Sequence, residues 1–367
     1  MLFTTTKDNL VFAINAALKA INPKSILPFY SCLKIETNQG QAVITGASLE
    51  MSISCSIPVQ VEKEGAILVP ARYFGEIVRK LPDTSIEISV TTGEEVEIRY
   101  ENSFFSLKTM SADNFPPLPV FGEGLDFSVA PEVMKRMVKQ TSFAASVEEV
   151  KAIFTGLLWE VDGDALSIVS TDTHRMSLSK GIIENQDKQA KGQFVIPAKI
   201  AGEIARLLLD SPCRVQVEKN LVFFSFEQIK IHCRMLEGQF PNYRLVIPSQ
   251  FSTELVFDVK PFYHSVERIS LFALDSEVTN SINLDVKENG EIVLHSRSEI
   301  GAGRETIKGD IKGDALQIAF NARYLADVFK VTEGERMEMK LSGPLTAGIM
   351  RVPGEENFLY LVLPMRV

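Results

Sequence analysis

Phe74, Ile77, Val78 and Leu81 recur at i, i+3, i+4 and i+7 within Pro70-Ala-Arg-Tyr-Phe-Gly-Glu-Ile-Val-Arg-Lys-Leu81. The spacing predicts an amphipathic helix over 70–81. Pro70 stands at its start, where a missing amide costs no hydrogen bond, and Arg72, Glu76, Arg79 and Lys80 fall on the other faces. The stretch returns at 197–208 with seven identities in twelve positions and Lys199 in place of Arg72. A weaker third copy begins at Ala322 and runs to Lys330, with Asp for Glu and Lys330 for Arg79. Offsets of 127 and about 125 residues are too long for a solenoid period and predict three copies of a whole domain.

Each third opens on a second helical pattern. Phe3 precedes a helix to about Ile21, Phe127 a helix over 131–143, and Phe257 a helix over 261–271. Between and after the helices lie short alternating runs separated by turn residues, the mark of antiparallel strands: 41–45, 165–170 and 291–295, then 85–90, 95–100 and 103–109, and 214–218, 221–226 and 229–234. Phe115-Pro116-Pro117 and Phe240-Pro241-Asn242, 125 apart, close the first two thirds. The expected organisation is an α+β chain of three similar domains, 1–124, 125–251 and 252–367, each with two helices packed on antiparallel sheets.

Composition changes this picture little. With 367 residues, 45% hydrophobic and 23% charged, the chain is long enough for two or three cores. No apolar run approaches a membrane span, and Met1-Leu-Phe-Thr-Thr-Thr-Lys-Asp lacks a signal-peptide layout. Cys32, Cys55, Cys213 and Cys233 show no Cys-x-x-Cys spacing and suit reduced thiols of a cytoplasmic protein; no metal or cofactor is implied.

Charge distribution adds more. The net charge of −9 argues, taken alone, against nucleic acid, yet the six predicted helices hold 14 Lys+Arg and 6 Asp+Glu while the rest holds 24 and 41. Solvated helix faces account for any one of these helices. Recurrence in register, as Arg72/Lys199/Arg323 and Arg79/Arg206/Lys330, points instead to one shared basic surface for phosphates read without regard to sequence. The helix candidates for DNA contact are Arg72, Arg79, Lys80, Lys139, Lys199, Arg206 and Arg323.

The middle copy departs from the first. At an offset of 125, Met176 matches Met51, but His174-Arg175 replaces Leu49-Glu50 within Thr171-Asp-Thr-His-Arg-Met176. Polar loop residues unique to one copy are candidates for function. They read as a catalytic Asp-His pair, as a structural His and Arg tying a turn to carbonyls, or as a rim of donors beside an apolar pocket for a partner's peptide. No serine elbow, Walker loop or His-Glu-x-x-His supports catalysis. The chain's end favours the third reading: 358–363 reads as a final strand, but Pro364-Met-Arg-Val367 cannot all continue a central strand.

On Val69-Pro-Ala-Arg, Ser111-Ala-x-x-Phe-Pro, Thr171-Asp-x-His-Arg, Phe240-Pro-x-Tyr-Arg244 and the terminal Pro364-Met-Arg, the chain resembles the bacterial DNA polymerase III beta-subunit family, the sliding clamps, over essentially its whole length. The resemblance implies a DNA clamp fold, closed by a head-to-tail homodimer into a six-domain ring around duplex DNA, with no catalysis of its own. Partners would be double-stranded DNA, the polymerase III alpha subunit, a clamp loader, and other polymerases and mismatch-repair proteins bearing a Gln-Leu-x-Leu-Phe-like motif. The peptide pocket it implies comprises Phe154, Gly156, Thr171, Thr173, His174, Arg175, Met176, Pro241, Val246, Leu361, Leu363, Pro364, Met365 and Arg366. Further DNA contacts are implied at Lys24 and Lys151, and a dimer contact pairing Phe105 and Leu107 with Phe272 and Leu274. Thr173 where the family often has Gly, Phe154 for Leu and Leu245 for Arg are departures that bear on partner preference. The alternatives are a metal-dependent nuclease using Asp172 and the 94–97 acidic cluster, and a monomeric scaffold of the same domains.

Overall fold

The computed structural model describes all residues except 23–24, 91–94, 275–279 and 367, and of Glu149 and Leu274 the backbone alone. Six helices form where the apolar spacing places them: α1 (Lys7–Leu18), α2 (Ala71–Lys80), α3 (Pro131–Ser142), α4 (Ala198–Leu207), α5 (Val259–Leu274) and α6 (Ala322–Asp327), the last continued by a 3₁₀ turn at Val328–Lys330. α1 stops at Leu18, three residues short of the apolar pattern, and α5 runs three residues past it. Thr6 caps α1 by accepting from the Asn9 amide, and Asn321 caps α6 by accepting from the amides of Arg323 and Tyr324. Among the described residues no helix is long and apolar enough to cross a membrane.

The chain divides into two compact units. The first comprises 1–131, 184–187 and 203–235. It holds a five-stranded sheet ending on Ser103–Lys108 and a ten-stranded antiparallel sheet. α1 buries Leu10, Ala13, Ile14 and Ala17, and α2 buries Phe74 and Val78. Gly46 lets α1 lie on its strand: a Cβ there would stand 2.1 Å from the Ala17 carbonyl oxygen. The ten strands are continuous because Met51–Pro58, of the first third, pairs with Ile229–Arg234, of the middle third, with Met51 opposite Cys233.

The second unit comprises 132–183, 188–202 and 236–367. Its nine-stranded sheet has an equivalent seam, where Arg175–Ile182 pairs with Phe358–Val362 and Met176 lies opposite Leu361. A four-stranded sheet ends on Gly301–Lys308, and α5 packs on it through Phe262, Val266 and Ile269. Each unit therefore repeats one device: a strand pair fusing the sheets of successive thirds. All four cysteines are buried free thiols, and burial pushes those of Cys55, Cys213 and Cys233 up to about 12, which keeps them unreactive.

Candidate functional site

The turn between Ala165–Thr171 and Arg175–Ile182 is built by its own side chains. Asp172 Oδ1 accepts from the amides of His174 and Arg175, both at 3.0 Å, and the Thr171 hydroxyl donates to the Arg175 carbonyl at 2.6 Å. Asp and Thr capture backbone two to four residues on, which is why this polar run makes a fixed turn. Thr173, at its tip, has φ +78°, a left-handed conformation that a β-branched residue adopts only under strain. Removing its Cβ relieves about 1–2 kcal/mol, against about 0.5–1 kcal/mol of added chain entropy for glycine. Thr173→Gly is therefore expected to raise the thermal midpoint slightly, by the equivalent of about 0.5–1 kcal/mol, read by calorimetry.

Arg175 is not the rim donor the sequence reading expects. It is only 6% exposed. Its guanidinium donates to Asp172 Oδ2 at 2.9 Å, to Asp327 Oδ2 at 2.8 Å and to the Phe143 carbonyl at 2.7 Å, and lies over the Tyr324 ring at 4.4 Å. Burial pushes the Asp327 carboxyl up, but hydrogen bonds from Lys330 and Arg175 outweigh it and hold the group below the usual carboxylate range. Arg175 thus fixes the turn from beneath. His174 is exposed and stacks on Tyr324, with ring centroids 6.3 Å apart.

The chain's end is held against this turn. The Leu363 amide donates to the His174 carbonyl at 2.9 Å and the Met365 amide to the Ala319 carbonyl at 2.8 Å. Leu363 is 40% exposed, Pro364 and Met365 half-buried, Arg366 exposed. Met176 and Leu361 are buried in one cluster with Leu158, Val195 and Tyr243, against which Ile153, Phe240 and Ile247 pack. Leu361 thus enters this cluster two residues before the exposed Leu363. Phe154 meets Phe240 edge-on at 6.2 Å, so the segment preceding Gly156 and the 240–247 segment stand on the same cluster. Tyr243 and Arg244 tie that segment down through Glu160, at 2.6 Å from the tyrosine and 2.9 and 3.1 Å from the guanidinium. Pro241, Leu245 and Val246 remain exposed on it. Gly156 is closely packed: a Cβ would stand 2.5 Å from a Val195 methyl, 2.7 Å from a Leu236 methyl and 2.9 Å from the Ile196 carbonyl oxygen, so a larger residue would displace its neighbours. Asp327, Phe143 and Tyr324, which sequence reasoning did not place in this site, hold its turn together with Asp172.

The basic positions resolve into two kinds. Arg79, Arg206 and Lys330 each pair with the acid three residues earlier, Glu76, Glu203 and Asp327, at 3.2, 2.5 and 2.8 Å. The acid and base recur together in all three copies as an i, i+3 pair, with the acid exposed at Glu76 and largely covered at Glu203 and Asp327. Lys139 reaches Glu333 at 3.1 Å and Lys80 lies 3.9 Å from Glu76. Arg72 and Lys199 are exposed and make no ion pair among the described residues, and Arg323 is 3.9 Å from Asp327. Lys151 is exposed above the Phe154 ring at 5.8 Å. Lys24 lies outside the described residues, as does the side chain of Leu274. Phe105 is exposed on the edge strand Ser103–Lys108, Leu107 is half-buried there, and Phe272 is half-buried on α5.

Three repeats fused by shared sheets define a clamp-type architecture. Family models of the DNA polymerase III beta subunit match in succession: the N-terminal domain over 1–119, the central domain over 128–242 and the C-terminal domain over 244–366. The beta sliding clamp of Bacillus subtilis is 32% identical over the full length of both chains, and that of Staphylococcus aureus 28% identical, covering all of this chain and 99% of the relative. The Bacillus subtilis clamp structure superposes with a TM-score of 0.96 at 31% identity, covering 100% of this chain and 99% of the other. A Pseudomonas aeruginosa clamp solved bound to griselimycin superposes at 0.94 and 26% identity, with full coverage of both chains. The chain belongs to the DNA polymerase III beta-subunit family, the sliding clamps. It is a processivity factor with DNA and polymerase as partners, a non-catalytic accessory subunit and not a nuclease. Asp172, the carboxylate a nuclease would need, has both oxygens committed to Arg175 and the turn amides.

Proposed function

We propose that the chain closes head to tail with a second copy into a ring around duplex DNA, and holds partners through the groove between the 171–176 turn and residues 361–366. The observation that carries the groove is the pinning of the C-terminal segment beside the turn, which leaves Leu363 and His174 exposed, each two residues from the buried, apolar Leu361 and Met176. A groove with a rigid rim and one adaptable methionine suits short apolar peptides. The griselimycin complex of the Pseudomonas aeruginosa clamp supports a ligand-accepting surface on this fold. Partners of this kind are the polymerase III alpha subunit, a clamp loader, and other polymerases and mismatch-repair proteins carrying a Gln-Leu-x-Leu-Phe-like segment. Phe154, Gly156, Thr171, Pro241, Val246 and Arg366 complete the groove, with Arg175 as a positioning residue.

Arg72, Lys199, Arg323 and Lys151 are the cations most available to phosphate, since the last-turn bases are already paired. Binding of this sort is weak, salt-sensitive and sequence-independent. Buried free thiols suit work in the cytoplasm. Domain boundaries near 124 and 251 follow the repeat.

Calorimetric titration with a Gln-Leu-Ser-Leu-Phe peptide tests the groove. The full chain is expected to bind, and a chain lacking 364–367 to lose at least about tenfold in affinity, or about 1.4 kcal/mol. Equal binding by both would place the peptide elsewhere.

A further inference from the structure

The seam that carries the proposed groove has a counterpart in the first unit. Met51 lies opposite Cys233 there as Met176 lies opposite Leu361. Phe29 and Phe115, each 125 residues before Phe154 and Phe240, again share one apolar cluster, with Cys32, Ala47, Leu68, Tyr30 and Leu118. Beside it opens a groove of about 400 Å³, whose lining includes Tyr30, Leu49, Met51, Pro116, Leu118 and His232. Its size falls within the range of ligand pockets.

The groove is preformed. Ser48 fixes the turn at its rim: the Ser48 amide donates to the Met51 carbonyl at 2.8 Å, and the Ser48 hydroxyl accepts from the amides of Glu50 and Met51. Leu49, where the middle copy has His174, is left 68% exposed on this rigid turn. The opposite wall carries Pro116, Pro117 and Pro119, which have no amides to donate, so added-strand pairing there is disfavoured and side-chain insertion is the available mode. His232, half-buried, lies 3.4 Å from the Ser52 hydroxyl and edge-on to Phe223 at 4.9 Å. Burial, helped by Lys230, holds it below the ordinary imidazole range, so it meets a ligand uncharged. Arg234 and Glu50 balance each other in charge at the groove's edge and favour neither an acidic nor a basic ligand.

We propose that this groove is a second, weaker site for the same short apolar peptide that enters the 171–176 groove. The inference rests on the peptide-binding reading above. Weaker binding follows from the residues: Leu49 stands where the middle copy has the exposed His174, so the apolar contacts repeat without that polar group on the rim. A lost hydrogen bond or two makes the dissociation constant about tenfold higher.

The test is a titration of the full chain, carbon-13 labelled at its methionine methyls, with Gln-Leu-Ser-Leu-Phe bearing an N-terminal nitroxide. Expected are broadening of Met365 first and of Met51 at about tenfold higher peptide, with Leu49→Arg abolishing the Met51 effect and leaving that of Met365. Broadening of Met365 alone would overturn the second site and leave the proposed function standing. Broadening of neither would overturn both. A Met51 effect that survives Leu49→Arg would place the peptide outside this groove and overturn the inference.

Discussion

Arg175→Ala is expected to destabilise the protein by about 3–5 kcal/mol, because it leaves two nearly buried carboxylates and a carbonyl without their shared donor. The arginine is 6% exposed, and its partners Asp172 and Asp327 have side-chain exposures of 12% and 13%. This is not a surface pair, whose loss would cost less than about 1 kcal/mol. Arg175→Lys is expected to recover only part of the loss, since a single ammonium cannot span Asp172, Asp327 and the Phe143 carbonyl as a planar guanidinium does. Urea unfolding of the three proteins measures it. A loss below about 1 kcal/mol for the alanine variant would show that the cluster is solvated in solution. The pH dependence has a definite sign. Asp327 is held below its ordinary 3.8, so the cluster contributes fully above that value and loses its contribution as pH falls through the depressed one. Arg175→Ala should therefore flatten the acid limb of the stability profile while leaving its slope near neutrality unchanged.

That cluster also marks where sequence reasoning ran out. The helices were legible because their apolar spacing recurs in each copy, and the strands because the runs alternate between turn residues. The turn at 171–176 was legible as a departure between copies. Its mechanism was not, because Arg175 reaches partners 32 and 152 residues away, and spacing along the chain carries no information about such contacts. One signal was present. The helix acid is Glu76, then Glu203, but Asp327 in the third copy, and Asp327 alone of the three accepts from an arginine that only the middle copy possesses. Two departures in different copies were one interaction. The basic helices carried a converse lesson. Their recurring last-turn cations looked like phosphate ligands, yet each recurs with an acid three residues before it, so part of the charge is spent locally, while Arg72 and Lys199 make no ion pair among the described residues.

Phe105→Lys is expected to convert the dimer to a monomer, raising the dissociation constant at least about a hundredfold, or about 2.7 kcal/mol. In the first unit the strand Ser103–Lys108 ends its sheet with an open row of backbone groups, and Phe104 and Phe105 stand 62% and 41% exposed on it. An open apolar edge is a hazard unless a partner covers it. In the second unit the strand Gly301–Lys308 likewise ends its sheet, and its glycines let Phe272 of α5 close down: a Cβ at Gly303 would stand 2.8 Å from that ring. Two different open edges on one chain suit a heterologous contact, which makes a ring if the rotation closes and a filament if it does not. A lysine at 105 places charge on the edge, a device natural sheets use against pairing, and the exposed position tolerates it in the monomer. Sedimentation at micromolar concentration should give a dimer for the unaltered chain and a monomer for the variant. The variant should still bind the Gln-Leu-Ser-Leu-Phe peptide, because that groove lies wholly within the second unit, but should leave circular DNA as fast as linear. A monomeric unaltered chain would remove the ring; a variant that stayed dimeric would move the subunit contact away from this edge.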